Sequence, residues 1–111
     1  MQEVLTKFLP DIFEAAKNAA PREMCGLIIQ QNDKKKWILC ENISTEEKSF
    51  KIDEKVLSKY QLISKILYVV HSHYMEDCKP SNHDKNMAKV LGIPYLIVSY
   101  PELGAEVYDP R

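Results

Sequence analysis

Three side chains that commonly bind metal ions lie close together in the sequence. His71 and His73 come directly after an apolar run, Ile66–Val70, that predicts a buried strand. Side chains two residues apart on a strand point to the same face, so we expect the two imidazoles to lie side by side. Asp84 follows near the start of a predicted helix. Two ring nitrogens and one carboxylate form the ligand set of a catalytic zinc site, in which the remaining position is left to water.

Such a site would perform hydrolysis, because Zn²⁺ lowers the pKa of a bound water to about 7 and so makes it able to attack an amide carbonyl. A general base must take the proton of that water and pass it to the leaving amine. Glu23 is the candidate base, because it precedes a predicted strand, Met24–Gln31, that is expected to lie beside the strand with the two histidines. Ser81 is the candidate for hydrogen bonding to the developing oxyanion.

Each of these residues also has a simpler interpretation. Ser81 and Asp84 have the spacing of a helix capping pair, a function that is compatible with their place at a metal site. His83 is a rival ligand to Asp84, but it lies about 100° around the helix from it, and we expect it to face solvent. Cys78 is a further alternative ligand, whereas Cys25 is expected to be a small buried hydrophobe.

Composition limits the class of protein. The chain has 111 residues and a net charge of −1, which predicts one domain over residues 1–111 and no nucleic-acid or membrane partner. No apolar stretch is long enough to span a bilayer. The three cysteines cannot all pair with one another and show no C-x-x-C spacing, which indicates free thiols in a reducing compartment. These features predict a cytoplasmic protein and give no indication of its oligomeric state.

The elements that must position the site are predicted from apolar periodicity and from turn and cap residues. In chain order we expect a helix over residues 10–20 with Pro10 in its first turn, strands Met24–Gln31 and Lys36–Glu41, a short strand Ser49–Ile52, a helix capped by Asp53, a strand over residues 66–72, a helix Asn82–Leu91, and strands Pro94–Tyr100 and Ala105–Tyr108. Whether residues 2–9 form more helix or a short strand stays open. This mixture predicts an α/β fold in which a mixed sheet is flanked by about three helices.

The spacing of the candidate residues resembles the motif of the JAMM (MPN-plus) zinc metallopeptidases. The motif is a glutamate upstream, then His-x-His, seven residues, a serine, two residues and an aspartate, here Glu23, His71, His73, Ser81 and Asp84. The segment Pro21–Leu27 is similar to the start of a strand in that family, and Val69–His73 and Pro94–Ser99 resemble its central strands.

This resemblance implies the family's cytidine-deaminase-like α/β fold and zinc-dependent hydrolysis of a peptide or isopeptide bond. It assigns His71, His73 and Asp84 to Zn²⁺, Glu23 to the general base and Ser81 to oxyanion support.

Within that family, the chain is most similar to the JAMM domain of lambda-type phage tail assembly proteins. The similarity lies in Pro21–Gly26, in Glu41 and Asn42, and in Phe50–Asp53. Such proteins usually carry a second domain, a cysteine peptidase of the cell-wall amidase type, which these residues do not include. The resemblance implies a protein or peptide substrate, with a downstream domain of this kind or phage tail proteins as partners.

Two other classes of function deserve comparison. A non-catalytic MPN-type binding or assembly module would keep the fold and use any metal for structure, but such a module does not need the complete set of candidate catalytic residues. A zinc deaminase would share the fold. It would also need the His-x-Glu and Pro-Cys-x-x-Cys signature, which is missing.

Overall fold

The computed structural model describes residues 2–111, in which the chain forms three helices and five strands. They are α1 (Glu3–Ala19), β1 (Cys25–Gln31), β2 (Lys34–Cys40), α2 (Glu54–Ile63), β3 (Lys65–Tyr74), α3 (Asn82–Leu91), β4 (Tyr95–Tyr100) and β5 (Ala105–Tyr108). The predicted α/β class, the number of helices and the bounds of α3 are therefore confirmed. None of the helices in these residues is long and apolar enough to cross a membrane.

The strands form one mixed sheet in the order β2-β1-β3-β4-β5. β1 pairs in antiparallel fashion with both β2 and β3, β3 is parallel to β4, and β4 is antiparallel to β5. The central strand, β3, is the one that carries His71 and His73. The prediction that the strand after Glu23 lies beside the strand with the histidines is thus confirmed, because β1 and β3 are paired.

Different helices bury the two faces of the sheet. α1 covers one face through Leu5, Phe8 and Ile12. On the other face lie α2 and α3, which contribute Leu57 and Ala88 to a second apolar cluster. Because side chains alternate along a strand, each strand supplies apolar residues to both layers.

α1 is longer than the predicted helix, because residues 2–9 contribute helix rather than strand. Pro10 therefore lies inside α1, and its predicted place in the first turn is wrong. A proline in a helix interior costs about 3 kcal/mol or more, since it removes a backbone hydrogen bond. The burial of Leu5 and Phe8, at about 1.5–3 kcal/mol for each side chain, offsets this cost.

The prediction of a strand over Ser49–Ile52 is wrong: these residues have no regular secondary structure and pair with no strand of the described chain. Their backbone is bonded locally instead. The N–H of Lys51 donates to Oδ1 of Asn42 at 3.1 Å, and the carbonyl of Lys51 accepts from the N–H of Ile43 at 2.9 Å. With these groups satisfied inside the loop, the segment does not need a partner strand.

Gly26 allows a close approach within the hairpin of β1 and β2. A Cβ at this position would collide with the carbonyl of Ile38 and with the indole ring of Trp37. A glycine inside a strand often marks a place where another group lies directly against the backbone. Here the Trp37 ring lies across β1, which ties together the two strands that follow Glu23.

Candidate metal centre and catalytic cleft

His71 and His73 lie within β3. The predicted strand ends at residue 72, whereas β3 continues to Tyr74, so backbone pairing with β4 holds both histidines. Their side chains point to the same face, as the alternation predicts. Both residues are buried, with 0% and 7% of their surface exposed, and their Nε2 atoms are 3.3 Å apart.

Asp84 reaches the histidines from the first turn of α3. It forms a capping box with Ser81: Oγ of Ser81 accepts from the N–H of Asp84 at 3.1 Å, and Oδ2 of Asp84 accepts from the N–H of Ser81 at 2.9 Å. Oδ1 of Asp84 lies 3.0 Å from Nε2 of His71, and Oδ2 lies 3.3 Å from Nε2 of His73. The cap therefore aims the carboxylate at both rings, and the capping and ligand interpretations of Asp84 are compatible.

The hydrogen bonding of His73 leaves one ring nitrogen for a cation. Nδ1 of His73 lies 2.7 Å from the carbonyl oxygen of Asp77. A carbonyl only accepts, so Nδ1 carries the hydrogen. In the neutral ring, Nε2 then presents a lone pair to the carboxylate of Asp84. The lone pair of Nε2 and the carboxylate are both electron-rich, so their contact requires a positive charge between them. The backbone carbonyl bonded to Nδ1 is also the usual outer partner of a metal-bound histidine.

Aromatic packing positions His71. The Phe50 ring stacks on it with centroids 4.3 Å apart, and Tyr95 meets it edge-on at 5.8 Å. Nδ1 of His71 has no hydrogen-bond partner in residues 2–111. Burial lowers the pKa of His71, which keeps the ring in the neutral form that metal binding requires.

The donor set fits a zinc ion. Zn–N bonds of about 2.0–2.1 Å at tetrahedral angles separate two ligand nitrogens by about 3.3–3.4 Å. The measured separation of the two Nε2 atoms is 3.3 Å, and donor atoms of His71, His73 and Asp84 all lie within 4.8 Å of one another. The structure thus brings together the three residues predicted as ligands.

The electrostatics of this cluster also favour a cation. The hydrogen bond to Asp84 raises the pKa of His73 to about 9. Burial alone would raise the pKa of Asp84, but hydrogen bonds from His71 and His73 hold that pKa well below its usual range. The carboxylate therefore stays ionised and attracts positive charge into the space between the three side chains, as a proton or as a metal ion.

Glu23 lies next to His73 by the register of the sheet. β1 and β3 pair Cys25 with His71, and continuing this antiparallel register by two residues places Glu23 opposite His73. Directly opposed residues share a face of the sheet. Burial raises the pKa of Glu23 to about 7, while the charge of His73 acts in the opposite direction. A carboxyl group with this pKa is suited to proton transfer near neutral pH.

Two residues to which the sequence assigned no role, Ser72 and Asn42, hold the backbone at Glu23 and Met24 in place. Ser72 donates its N–H to the carbonyl of Met24 at 2.9 Å and accepts from the N–H of Met24 through Oγ at 2.8 Å. Asn42 donates through Nδ2 to the carbonyls of Glu23 at 2.9 Å and Ser49 at 3.0 Å. The only sequence signal for Ser72 is its place between the two histidines, and the signal for Asn42 is its place in a segment similar to the phage tail assembly domain.

Glu23, His73, Ser81 and Asp84 line one cleft, which has a volume of about 850 Å³. The loop before α2 forms the opposite wall. Ser81 is exposed in this cleft, and its oxygen accepts the capping hydrogen bond, so the O–H remains able to donate to a bound molecule. The structure therefore places the candidate base and the candidate oxyanion donor in the same cavity as His73 and Asp84, two members of the candidate metal-binding cluster.

The alternative ligands lie outside the cluster. His83 is exposed, as predicted, although it borders the same cleft. Cys78 is half-buried and packs beside Gly104. Cys25 is fully buried, and burial raises the pKa of its thiol to about 12, which agrees with its interpretation as a small hydrophobe.

Comparison with known protein sequences supports the predicted resemblance. A family model described as prokaryotic homologs of the JAB domain matches residues 6–108. A curated relative, the "Tail tip assembly protein K" of Escherichia phage N15, is 28% identical over 106 residues, which are 95% of this chain and 44% of that protein. The chain thus spans less than half the length of this relative.

Solved structures show the same fold. A JAB1/MPN domain protein from Archaeoglobus fulgidus matches with a TM-score of 0.66 and 27% identity, over 93% of this chain and 84% of the other. A structure described as "JAMM: A Metalloprotease-like Zinc Site in the Proteasome and Signalosome" matches with a TM-score of 0.60 and 27% identity, over 93% and 82% of the two chains. These matches confirm the predicted JAMM/MPN fold, and since the family model covers nearly the whole chain, the protein belongs to the prokaryotic homologs of the JAB domain.

Proposed function

We propose that residues 1–111 form a single-domain cytoplasmic zinc hydrolase that cleaves a peptide or isopeptide bond in phage tail assembly or related protein processing. The observation that carries this proposal is the convergence of donor atoms from His71, His73 and Asp84. Two of these residues, His73 and Asp84, line a cleft together with Glu23. The relative named for tail tip assembly supports the biological setting, and the structural neighbour described by its zinc site supports the metal.

His71, His73 and Asp84 would hold the ion, which supplies a bound water whose pKa is lowered to about 7. The protein prepares each ligand for this task. The carbonyl of Asp77 fixes the hydrogen of His73 on Nδ1, burial keeps His71 neutral, and the capping box with Ser81 orients the carboxylate of Asp84.

Glu23 would act as the general base. Its carboxylate would take a proton from the attacking water and deliver it to the leaving amine, a contribution of about 10²–10⁴ in rate for such groups. Ser81 would donate its O–H to the oxyanion that forms on the substrate carbonyl, where loss of one donor costs about 10²–10³ in turnover.

Zinc content tests the ligand set. The purified chain is expected to bind about one zinc ion, measured by elemental mass spectrometry after dialysis, and His71→Ala or Asp84→Ala should abolish binding, since a three-residue site that loses one ligand holds the ion far more weakly. His83→Ala is the matched control, because this histidine borders the cleft but lies outside the cluster. Full zinc occupancy in both ligand variants would refute the proposed site.

Turnover separates the enzyme from a non-catalytic assembly module. The zinc-loaded chain is incubated with a peptide library and with lysine-linked isopeptides, and new termini are identified by mass spectrometry. Glu23→Gln should keep its zinc and lose cleavage, because an amide cannot accept the proton. Cleavage at the wild-type rate in this variant would remove Glu23 from the role of base. A wild-type chain that binds zinc and cleaves neither set would instead favour the assembly module.

A further inference from the structure

A small apolar pocket lies between α2 and α3, next to the candidate catalytic cleft. Its volume is about 210 Å³. The apolar part of its lining includes Phe50, Ile52, Leu57, Met87, Leu91 and Tyr95. Ligand pockets for whole drug-sized molecules usually measure about 300–1,000 Å³, so this pocket has the size for one side chain.

The pocket lies directly beside the cleft that His73 and Asp84 line. Phe50 and Met87 line both cavities. The Phe50 ring also stacks on His71, with centroids 4.3 Å apart. A side chain that contacts Phe50 in the pocket would therefore be separated from a candidate metal ligand by one aromatic ring.

The pocket exists because α2 packs incompletely against its surroundings. α2 contains no fully buried residue. Part of its apolar side, including Leu57, is therefore accessible to a ligand. Met87 stands at the mouth with 36% of its surface exposed. Lys51, Glu54 and His83 add polar groups to the lining, where they are available to the backbone of a bound peptide. An apolar pocket with a few polar groups is the usual form of a specificity site.

We propose that this pocket binds a large apolar side chain, such as leucine, methionine or phenylalanine, next to the scissile bond of a peptide substrate. This inference rests on the proposed hydrolytic function and defines its substrate class. The occupant is part of the substrate because the pocket shares walls, including Phe50 and Met87, with the cleft that Glu23, His73 and Asp84 line.

Binding is tested without turnover by NMR of methyl-labelled protein, in metal-free and zinc-loaded form. N-acetyl-phenylalaninamide should produce saturable shifts in the methyl signals of Leu57, Met87 and Leu91, and N-acetyl-glycinamide should not. Met87→Trp fills the mouth and should abolish these shifts. Val90→Trp is the matched control, because it adds the same ring to α3 at a residue that is 78% exposed and outside the pocket lining.

Cleavage of the peptide library by the zinc-loaded protein gives the second measurement. We expect at least about a tenfold preference for large apolar residues over glycine at one position beside the cleaved bond, since each methylene in a fitted pocket can contribute that much discrimination. Leu57→Ala enlarges the pocket and should move the preference from phenylalanine towards tryptophan. This variant keeps the test valid if Met87→Trp does not fold.

The outcomes distinguish the two proposals. Cleavage without apolar preference, or with no saturable methyl shifts, refutes the proposal that the pocket binds an apolar side chain. It leaves the proposed hydrolase function standing. Saturable shifts without any cleavage retain the apolar ligand class and refute the reaction. The absence of both shifts and cleavage refutes both proposals, and their joint presence with loss of the shifts in Met87→Trp supports both.

Discussion

Glu23→Gln is expected to make the metal-free protein more stable at pH 8 while it removes the candidate base. In the folded protein, burial raises the pKa of Glu23 from its ordinary 4.5 to about 7. A group whose pKa is raised by folding contributes stability that is fully present below pH 4.5 and is lost as the pH rises through about 7, because the unfolded chain releases its proton first. Glutamine does not titrate, so the variant avoids this loss.

The magnitude follows from the size of the shift. A rise from 4.5 to about 7 corresponds to about 3 kcal/mol at the usual 1.36 kcal/mol for each pH unit. Glu23 is only half-buried at the cleft, so water screens part of this cost, and we expect a net gain of about 1–2 kcal/mol in the variant at pH 8. At pH 4 the carboxyl is largely protonated in both states, and the two proteins should differ little in their titration-linked stability.

Urea unfolding in the presence of EDTA, at pH 4 and at pH 8, measures the effect as a difference between the two pH values. Glu76→Gln is the control, because this glutamate lines the same cleft but is about half exposed and pairs with Lys48 at the surface. It should change stability by no more than about 0.5 kcal/mol. If Glu23→Gln gains no stability relative to wild type between pH 4 and pH 8, the burial argument for Glu23 is wrong.

The other predictions concern the strands around the site and the metal. Gly26→Ala should lower the free energy of unfolding by about 1–3 kcal/mol, because the new methyl group would overlap the Trp37 ring; unchanged urea unfolding would contradict this contact. Ser72→Ala should cost about 1–3 kcal/mol, since the buried N–H of Met24 loses its acceptor at 2.8 Å, and should also slow turnover by loosening the segment that holds the base. Zinc at 1,000 times its Kd should raise stability by about 4 kcal/mol over the EDTA-treated protein, and an equal melting temperature in both conditions would exclude binding to the folded state.

The structure brings the three predicted ligand side chains together because the sequence signals that point to them are local. Two histidines on alternate residues of a strand share a face whatever surrounds them, and a serine followed by an acid three residues later caps a helix by backbone geometry alone. The motif places His71, His73 and Asp84 at such positions, and the structure brings their donor atoms within 4.8 Å of one another. Their assignment as zinc ligands and that of Glu23 as base remain predictions.

The predictions for Pro10 and for Ser49–Ile52 are wrong because contacts with residues distant in the sequence override local preference. Proline usually lies in the first turn of a helix or disrupts the helix. Pro10 nevertheless lies inside α1, because Leu5 and Phe8 in the preceding turns are buried against the sheet. The alternation in Ser49–Ile52 resembles a strand, but the Asn42 side chain satisfies its backbone. No local sequence pattern indicates that the contacts with the sheet and with Asn42 will form.

The amino-acid sequence by itself determined the family, the α/β class and the residues able to bind a metal, because these depend on residue type and on spacing along single elements. Only the tertiary structure decided that Glu23 stands opposite His73, that Asn42 and Ser72 hold the backbone there, and that a pocket of about 210 Å³ lies beside Phe50. Such features depend on the register between strands and on how helices pack, and both are set by the lowest free energy of the whole chain rather than by any one segment.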